Sequence, residues 1–273
     1  MGYISSLSRL FALGFMTIAL LTGCNKSKEV PYEERPLTDI LSAAEQALAE
    51  EDFEKAALEF EEVERQYPYD LRAQTALIQA AEARQKALQF DDMIDIMDKM
   101  IVAYPTHTRI DYAYYLRALG YYNQIADGRR DQSMTIAAEK ALKAVIGRFP
   151  NSDYKRKALF KLDLVKDRLA EHHMNIGKYY LSQKNHHAAL KRFQQIIKTY
   201  EQTIYVQEAL HRCVECYLAL GLPAEAHRSA MHLGHNYPNS RWYDYSYSLV
   251  KGLPLPKHTK KSWIQKKVEG SKN

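Results

Sequence analysis

The sequence predicts an all-α chain, a solenoid of about five helix pairs in which each unit is a helix, a turn and a helix. Three observations carry that expectation. The first is a beat that recurs five times. Counting back from Pro68, Ala56 stands at minus 12, Phe60 at minus 8, Val63 at minus 5 and Tyr67 at minus 1. It returns as Met93, Met97, Met100, Tyr104 before Pro105 and as Ala138, Leu142, Val145, Phe149 before Pro150. It returns again as Ala189, Phe193, Ile196, Tyr200 before Glu201 and as Ala226, Ala230, Leu233, Tyr237 before Pro238. The second is spacing: the anchors lie 37, 45, 51 and 37 residues apart, in the range of repeat arrays. The third is geometry. Offsets that differ by 3 and 4 keep residues on one helical face, and the proline that follows cannot continue the helix.

Taken in order, residues 1–23 read as a processing segment. Arg9 and the amino terminus are positive, and Leu10 to Leu21 is an apolar run of 12 residues, too short to span a bilayer. Leu21-Thr22-Gly23-Cys24 resembles the bacterial lipobox. That resemblance implies cleavage before Cys24 and acylation of its sulfur and new amino group (palmitate among the chains), and Asn25 after it implies transport to the outer membrane. Residues 24–36 are polar with two prolines and read as a tether. Residues 37–250 hold the repeats, in an N-terminal half (37–150) and a C-terminal half (151–250). Leu37 to Leu48 is the first helix. Asp70, Thr106, Ser152, Thr203 and Ser240 are expected to cap the helices that follow each anchor. From Ser152 to Gln183 about 30 residues run without proline, so one helix on the order of 45 Å is expected, with Gly177 or His172-His173 as places it would break. Asn239 to Val250 reads as a closing helix, and Cys213 and Cys216 fall inside a helix over Val206–Leu220. The beat resembles the tetratricopeptide repeat, which implies a right-handed solenoid.

Composition sets the remaining bounds. The chain has 273 residues, 46% hydrophobic and 26% charged, with a formal charge of +5. Residues 251–273 hold seven Lys and one Glu, so the body is close to neutral, and this basic tail reads as a solvated, disordered end. Nothing in that balance asks for a nucleic-acid partner. Methionines Met93, Met97 and Met100 read as packed core before they read as a binding stripe.

Candidate chemistry is sparse. Cys213-Val-Glu-Cys216 has the spacing of a redox or metal pair, but no βαβ pattern surrounds it, and buried thiols or a structural disulfide fit better. His172-His173 and His186-His187 point to different helix faces, and no metal site is expected. No phosphate loop, nucleophile elbow or zinc-protease motif occurs. No enzyme activity and no cofactor are expected.

Further resemblance is longer. Pro105-Thr106-His107, then Asp111-Tyr112, then Tyr115-Leu116-Arg117-Ala118-Leu119 are similar to segments of the BamD family, lipoproteins of the outer-membrane β-barrel assembly machine. So are Arg148-Phe149-Pro150-Asn151-Ser152 with Tyr154, Leu164 to Ala170, Tyr179-Tyr180, and Ala188-Ala189 with Arg192-Phe193. The connection Ala126–Ser133 is shorter than in many members and lacks their aromatic pair. Membership implies a lipid-anchored periplasmic scaffold at the outer membrane. Its partners would be the barrel subunit BamA, other assembly subunits and unfolded outer-membrane proteins. Tyr112, Tyr115 and Tyr122, with Asp111 beside them, share one helical stripe. They read as inter-repeat packing or as a groove for extended peptide, and the family's first three repeats imply the groove. Lys178, Tyr179, Tyr180 and Arg192 form the other candidate patch, which reads as a solvated helix face or as a docking surface; the resemblance implies that Arg192 contacts BamA, by an Arg fork to a carboxylate. Two rivals remain: a periplasmic repeat lipoprotein of cell-wall synthesis or division, and a redox enzyme built on Cys213 and Cys216.

Overall fold

A computed structural model describes residues 34–256. Among the described residues there are eleven α-helices and no strand. They are α1 Leu37–Ala49, α2 Phe53–Gln66, α3 Leu71–Lys86, α4 Phe90–Ala103, α5 Ile110–Asn123 and α6 Ser133–Arg148. Then come α7 Tyr154–Ser182, α8 His186–Thr199, α9 Val206–Ala219, α10 Pro223–Asn236 and α11 Arg241–Lys251. The leader, the lipobox with Cys24, most of the tether and the basic tail from Lys257 lie outside the described residues. Every helix packs on its chain neighbours. Among the first helices of the pairs, α3 touches α5, α5 touches α7, and α9 touches α11. Paired helices stacked in series, with first helices meeting first helices, make the helical solenoid.

The sequence beat is a backbone beat. Tyr67, Tyr104, Phe149, Tyr200 and Tyr237 each close a second helix at φ between −123° and −138° and ψ between 40° and 65°. Their amides donate to the carbonyls of Val63, Met100, Val145, Ile196 and Leu233, the residues at minus 5. Their own carbonyls accept from the amide three residues on, which turns the chain into the next unit. All five residues at minus 12 and all five at minus 5 are wholly buried. The small or flexible side chain at minus 12 lets a neighbouring helix approach, and the one at minus 8 fills the groove beside it.

A second rhythm lies in the turns inside the pairs. Glu51, Leu88 and Lys184 adopt φ of 60°, 59° and 57°, and Gly221 adopts 73°. Each is followed by an amide that reaches back across the helix end: Asp52 to Ala47, Gln89 to Arg84, Asn185 to Tyr180 and Leu222 to Tyr217. This left-handed closure satisfies carbonyls that a helix end leaves free. The third pair departs from it. There, residues 124–132 fold back on themselves. The Gln132 side chain donates to the carbonyls of Asp127 and Arg130 at 3.0 Å each, and Thr135 donates to Gln132 at 2.9 Å. His172 Nδ1 lies 2.8 Å from the Gly128 carbonyl and ties the loop to α7.

Two expectations are corrected. Asp70, Ser152 and Ser240 accept from opening amides as expected, those of Arg72 (2.8 Å), Tyr154 (3.1 Å) and Trp242 (3.2 Å). Thr203 instead turns back to donate to the Tyr200 carbonyl, and Thr106 stands four residues before α5. The cause is linker length: in these units the chain makes an extra turn before the helix starts. The long helix is as expected: α7 runs unbroken for 29 residues. Gly177 is not a break but a contact, because the Phe193 ring occupies the space its side chain would need. The second correction is that the closing helix begins at Arg241, two residues later than expected, because Ser240 caps it.

Candidate partner-binding surfaces

The stripe on α5 is packed along most of its length. Tyr112 and Tyr115 both stack on Tyr154 of α7, with ring centroids 4.8 and 5.1 Å apart. Tyr115 is 6% exposed. Arg109 lies over the Tyr112 ring at 4.7 Å, and burial, then Glu82, pushes the Tyr112 hydroxyl far above its ordinary pKa. Asp111 accepts from Ser152 Oγ at 2.5 Å, which binds the start of α5 to the turn before α7. Tyr122, at the far end, is half-buried under the Lys161 ammonium at 4.0 Å. The stripe therefore serves as the α5–α7 joint at Tyr112 and Tyr115, and opens only at Tyr122.

At that opening lies a cleft of about 490 Å³ that sequence reasoning did not find. Tyr122, Asn123 and Ile125 form one wall, Leu164, Asp167, Arg168 and Glu171 of α7 a second, and Ile204 and Tyr205 a third. Leu164 and Ile204 are 42% and 75% exposed. Burial raises the Asp167 pKa, opposed by a hydrogen bond from the Ile204 amide and reinforced by Asp163. Burial also raises that of Tyr205. Arg168 is bound to Glu171 at 2.6 Å. Apolar side chains beside a carboxylate and a paired guanidinium suit an extended peptide with alternating apolar and polar residues. No sequence signal marks this cleft, because its walls come from three separate units.

The second patch is divided between two interfaces. Lys178 reaches across to Glu208 on α9 at 2.9 Å. Tyr179 is 61% exposed, whereas Tyr180 packs against the core with its ring 5.7 Å from Tyr179. Arg192 stands half-buried on α8 with no ion pair or hydrogen bond among the described residues. Its charge falls on His173, whose ring lies 5.9 Å from Tyr200. Burial first, then Arg192 and His172, lower the His173 pKa to about 4. His173 Nδ1 is buried without a partner among the described residues. A guanidinium kept near a neutral imidazole remains available to an incoming carboxylate.

A polar chain links the last units and was not anticipated. Glu208 accepts from Lys178 and from Arg212 (3.2 Å), and Arg212 donates to Glu215 at 2.8 Å. Glu215 lies 3.4 Å from His211 Nε2, and His211 Nδ1 is 2.9 Å from Ser246 Oγ on α11. The Ser, His and Glu stand in line, yet Ser246 and His211 are 0% and 4% exposed. The line fastens the closing helix and has no access for a substrate. Cys213 and Cys216 are free and buried, and burial pushes both thiols up, that of Cys216 to about 11. Among the described residues no three His, Cys, Asp or Glu are grouped to hold a metal, and no helix is long and apolar enough to cross a membrane.

Comparison with known proteins adds the following. The family model described as "YfiO: Outer membrane lipoprotein" matches residues 33–233. The chain is 38% identical over 245 residues to outer membrane protein assembly factor BamD of Rickettsia prowazekii (strain Madrid E), covering 90% of this chain and 96% of that one. It is 37% identical over 238 residues to the protein of the same name from Caulobacter vibrioides, covering 86% of this chain and 78% of that one. Among solved structures it is similar to the TPR2AB-domain:pHSP90-complex of yeast Sti1, at 12% identity over 79% of this chain and 83% of that one, with a TM-score of 0.43.

Proposed function

The chain belongs to the YfiO outer membrane lipoprotein family, and we propose that within outer-membrane protein assembly it is a lipid-anchored binding scaffold on the periplasmic face. The family role is assembly of outer-membrane proteins, in association with the outer membrane. Beyond it, Cys24 carries the acyl chains, the cleft at Tyr122 takes segments of unfolded outer-membrane proteins, and the Arg192 surface docks the barrel subunit BamA. Tyr179 extends that surface, and Lys178 and Tyr180 hold it in place. Asp111, Tyr112 and Tyr115 hold α5 against α7 and so fix the peptide groove from behind, with Tyr122 as its contact.

One observation carries this reading: an open, mixed apolar and acidic cleft on a stack of rigid hairpins, separate from a half-buried guanidinium with no ion pair among the described residues. Two binding surfaces on one body, tied to lipid at one end, raise the local concentration of both partners, so modest interfaces suffice. Three variants test it. Leu164→Glu with Ile204→Glu should abolish crosslinking of unfolded barrel protein to the cleft while leaving recovery of the barrel subunit intact. Arg192→Glu should do the reverse. Cys24→Ala should leave the membrane fraction. Equal loss of both partners in either surface variant would dismiss the division into two sites.

A further inference from the structure

The most exposed apolar side chains stand along one edge of the solenoid. Short turns make successive helices antiparallel. Packing agrees: Ala47 late in α1 clusters with Ala56 and Ala57 early in α2 and with Ala83 late in α3. The start of α1, the end of α2, the start of α3, the end of α4 and the start of α5 therefore share one edge. On it, Tyr69 is 100% exposed, Val102 81% and Leu71 80%, while Leu88, at 73%, marks the opposite edge. Tyr69 and Leu71 flank the capping Asp70 in one turn, and Val102 ends the helix before the next. The Tyr104 hydroxyl donates to the Pro68 carbonyl at 2.8 Å and joins the two turns. Arg72, paired with Asp70 at 2.8 Å, and Arg109, 3.7 Å from Glu82, stand beside them with side chains 55% and 47% exposed, so each keeps further N–H donors turned to solvent. Single exposed apolar residues are ordinary. Three around two joined turns, one in a turn and two at the helix ends beside it, with arginines next to them, are not.

We propose that this edge lies against the lipid bilayer. Tyr69, Leu71 and Val102 sit at the headgroup level, and Arg72 and Arg109 face lipid phosphates. The inference rests on the Cys24 anchor. Leu37 stands thirteen Cα steps after Cys24, so an acylated Cys24 holds the start of α1 within about 45 Å of the headgroups. Short aliphatic side chains and an amphipathic tyrosine on turn tips suit the interfacial zone. A partner protein would instead need about 800 Å² of matched surface around them, whereas the neighbouring cleft is lined largely by Gln74, Thr75, Thr106, His107 and Thr108.

The test uses the full acylated protein in vesicles of phosphatidylethanolamine and phosphatidylglycerol carrying brominated acyl chains. A fluorophore is placed singly at Tyr69→Cys, Val102→Cys or Leu88→Cys; Cys213 and Cys216, 1% and 0% exposed, stay unlabelled. Bromine quenching at 69 and 102 should exceed that at 88 by about threefold or more. Vesicle-bound protein with equal quenching at both edges, or none at either, overturns the proposal and leaves a protein partner as the occupant. Acylated protein that fails to sediment with the vesicles overturns the anchor first and the edge with it.

Discussion

Replacing Gly177 with Ala sets two effects of opposite sign against each other. Helix propensity favours Ala by about 1 kcal/mol in the interior of a helix, and Gly177 lies well inside α7. Packing opposes it. An added Cβ would lie 2.4, 2.7 and 2.9 Å from three atoms of the Phe193 ring, which is itself wholly buried. The ring cannot swing away, because Phe193 is the minus 8 residue that fills the groove between α7 and α8. Overpacking of this kind costs about 2–3 kcal/mol. The net expectation is a loss of about 1–2 kcal/mol, which for an array of this size lowers the melting temperature by roughly 2–8 °C. Thermal unfolding followed by circular dichroism measures it. In a Phe193→Leu background, the same substitution should be neutral or stabilising. A rise in melting temperature for Gly177→Ala alone would refute the packing argument and leave propensity in command. Arg192 adjoins Phe193, so under the proposed docking at Arg192 the destabilised protein should also recover less barrel subunit.

Three further outcomes are expected. Lys184→Gly removes a side chain from φ 57° and should stabilise by about 0.5–1 kcal/mol in denaturant titration, with no change in slope. His173 is held neutral by burial, so its stabilising contribution is complete above its unfolded pKa of about 6.5 and is lost as pH falls toward 4. His173→Phe should therefore flatten the stability profile between those values and leave the neutral range unchanged. Cys213 and Cys216, buried and protonated, should resist iodoacetamide at pH 8 in the native protein and react fully in denaturant; rapid native alkylation would reopen the redox reading.

Legibility in the sequence followed the range of each interaction. The five anchors were readable because one helical face and one stop signal recur in a fixed register, and burial then acts on each in the same way. The left-handed turns were not, because Glu51, Leu88 and Lys184 are residues that do not ordinarily advertise that conformation. Capping was readable where the helix follows closely, at Asp70, Ser152 and Ser240, and misread where the turn is longer, at Thr203. Tyr112 and Tyr115 were placed on one stripe correctly, but only Tyr154, 42 and 39 residues away, decides that the stripe is joint rather than groove. The line from Lys178 to Ser246 spans three helices, and no local pattern announces it.

α7 has a mechanical consequence. Its 29 residues cover roughly 43 Å without a proline or a hinge. Its first turns carry the Tyr154 stack, its middle carries the wall of Asp167 and Glu171, and its last turns seat Phe193 against Gly177. It works as a tie beam: under the proposed division into two surfaces, a load on the midspan and a load on the far end fall on the same member, so a shift at one is felt as strain at the other.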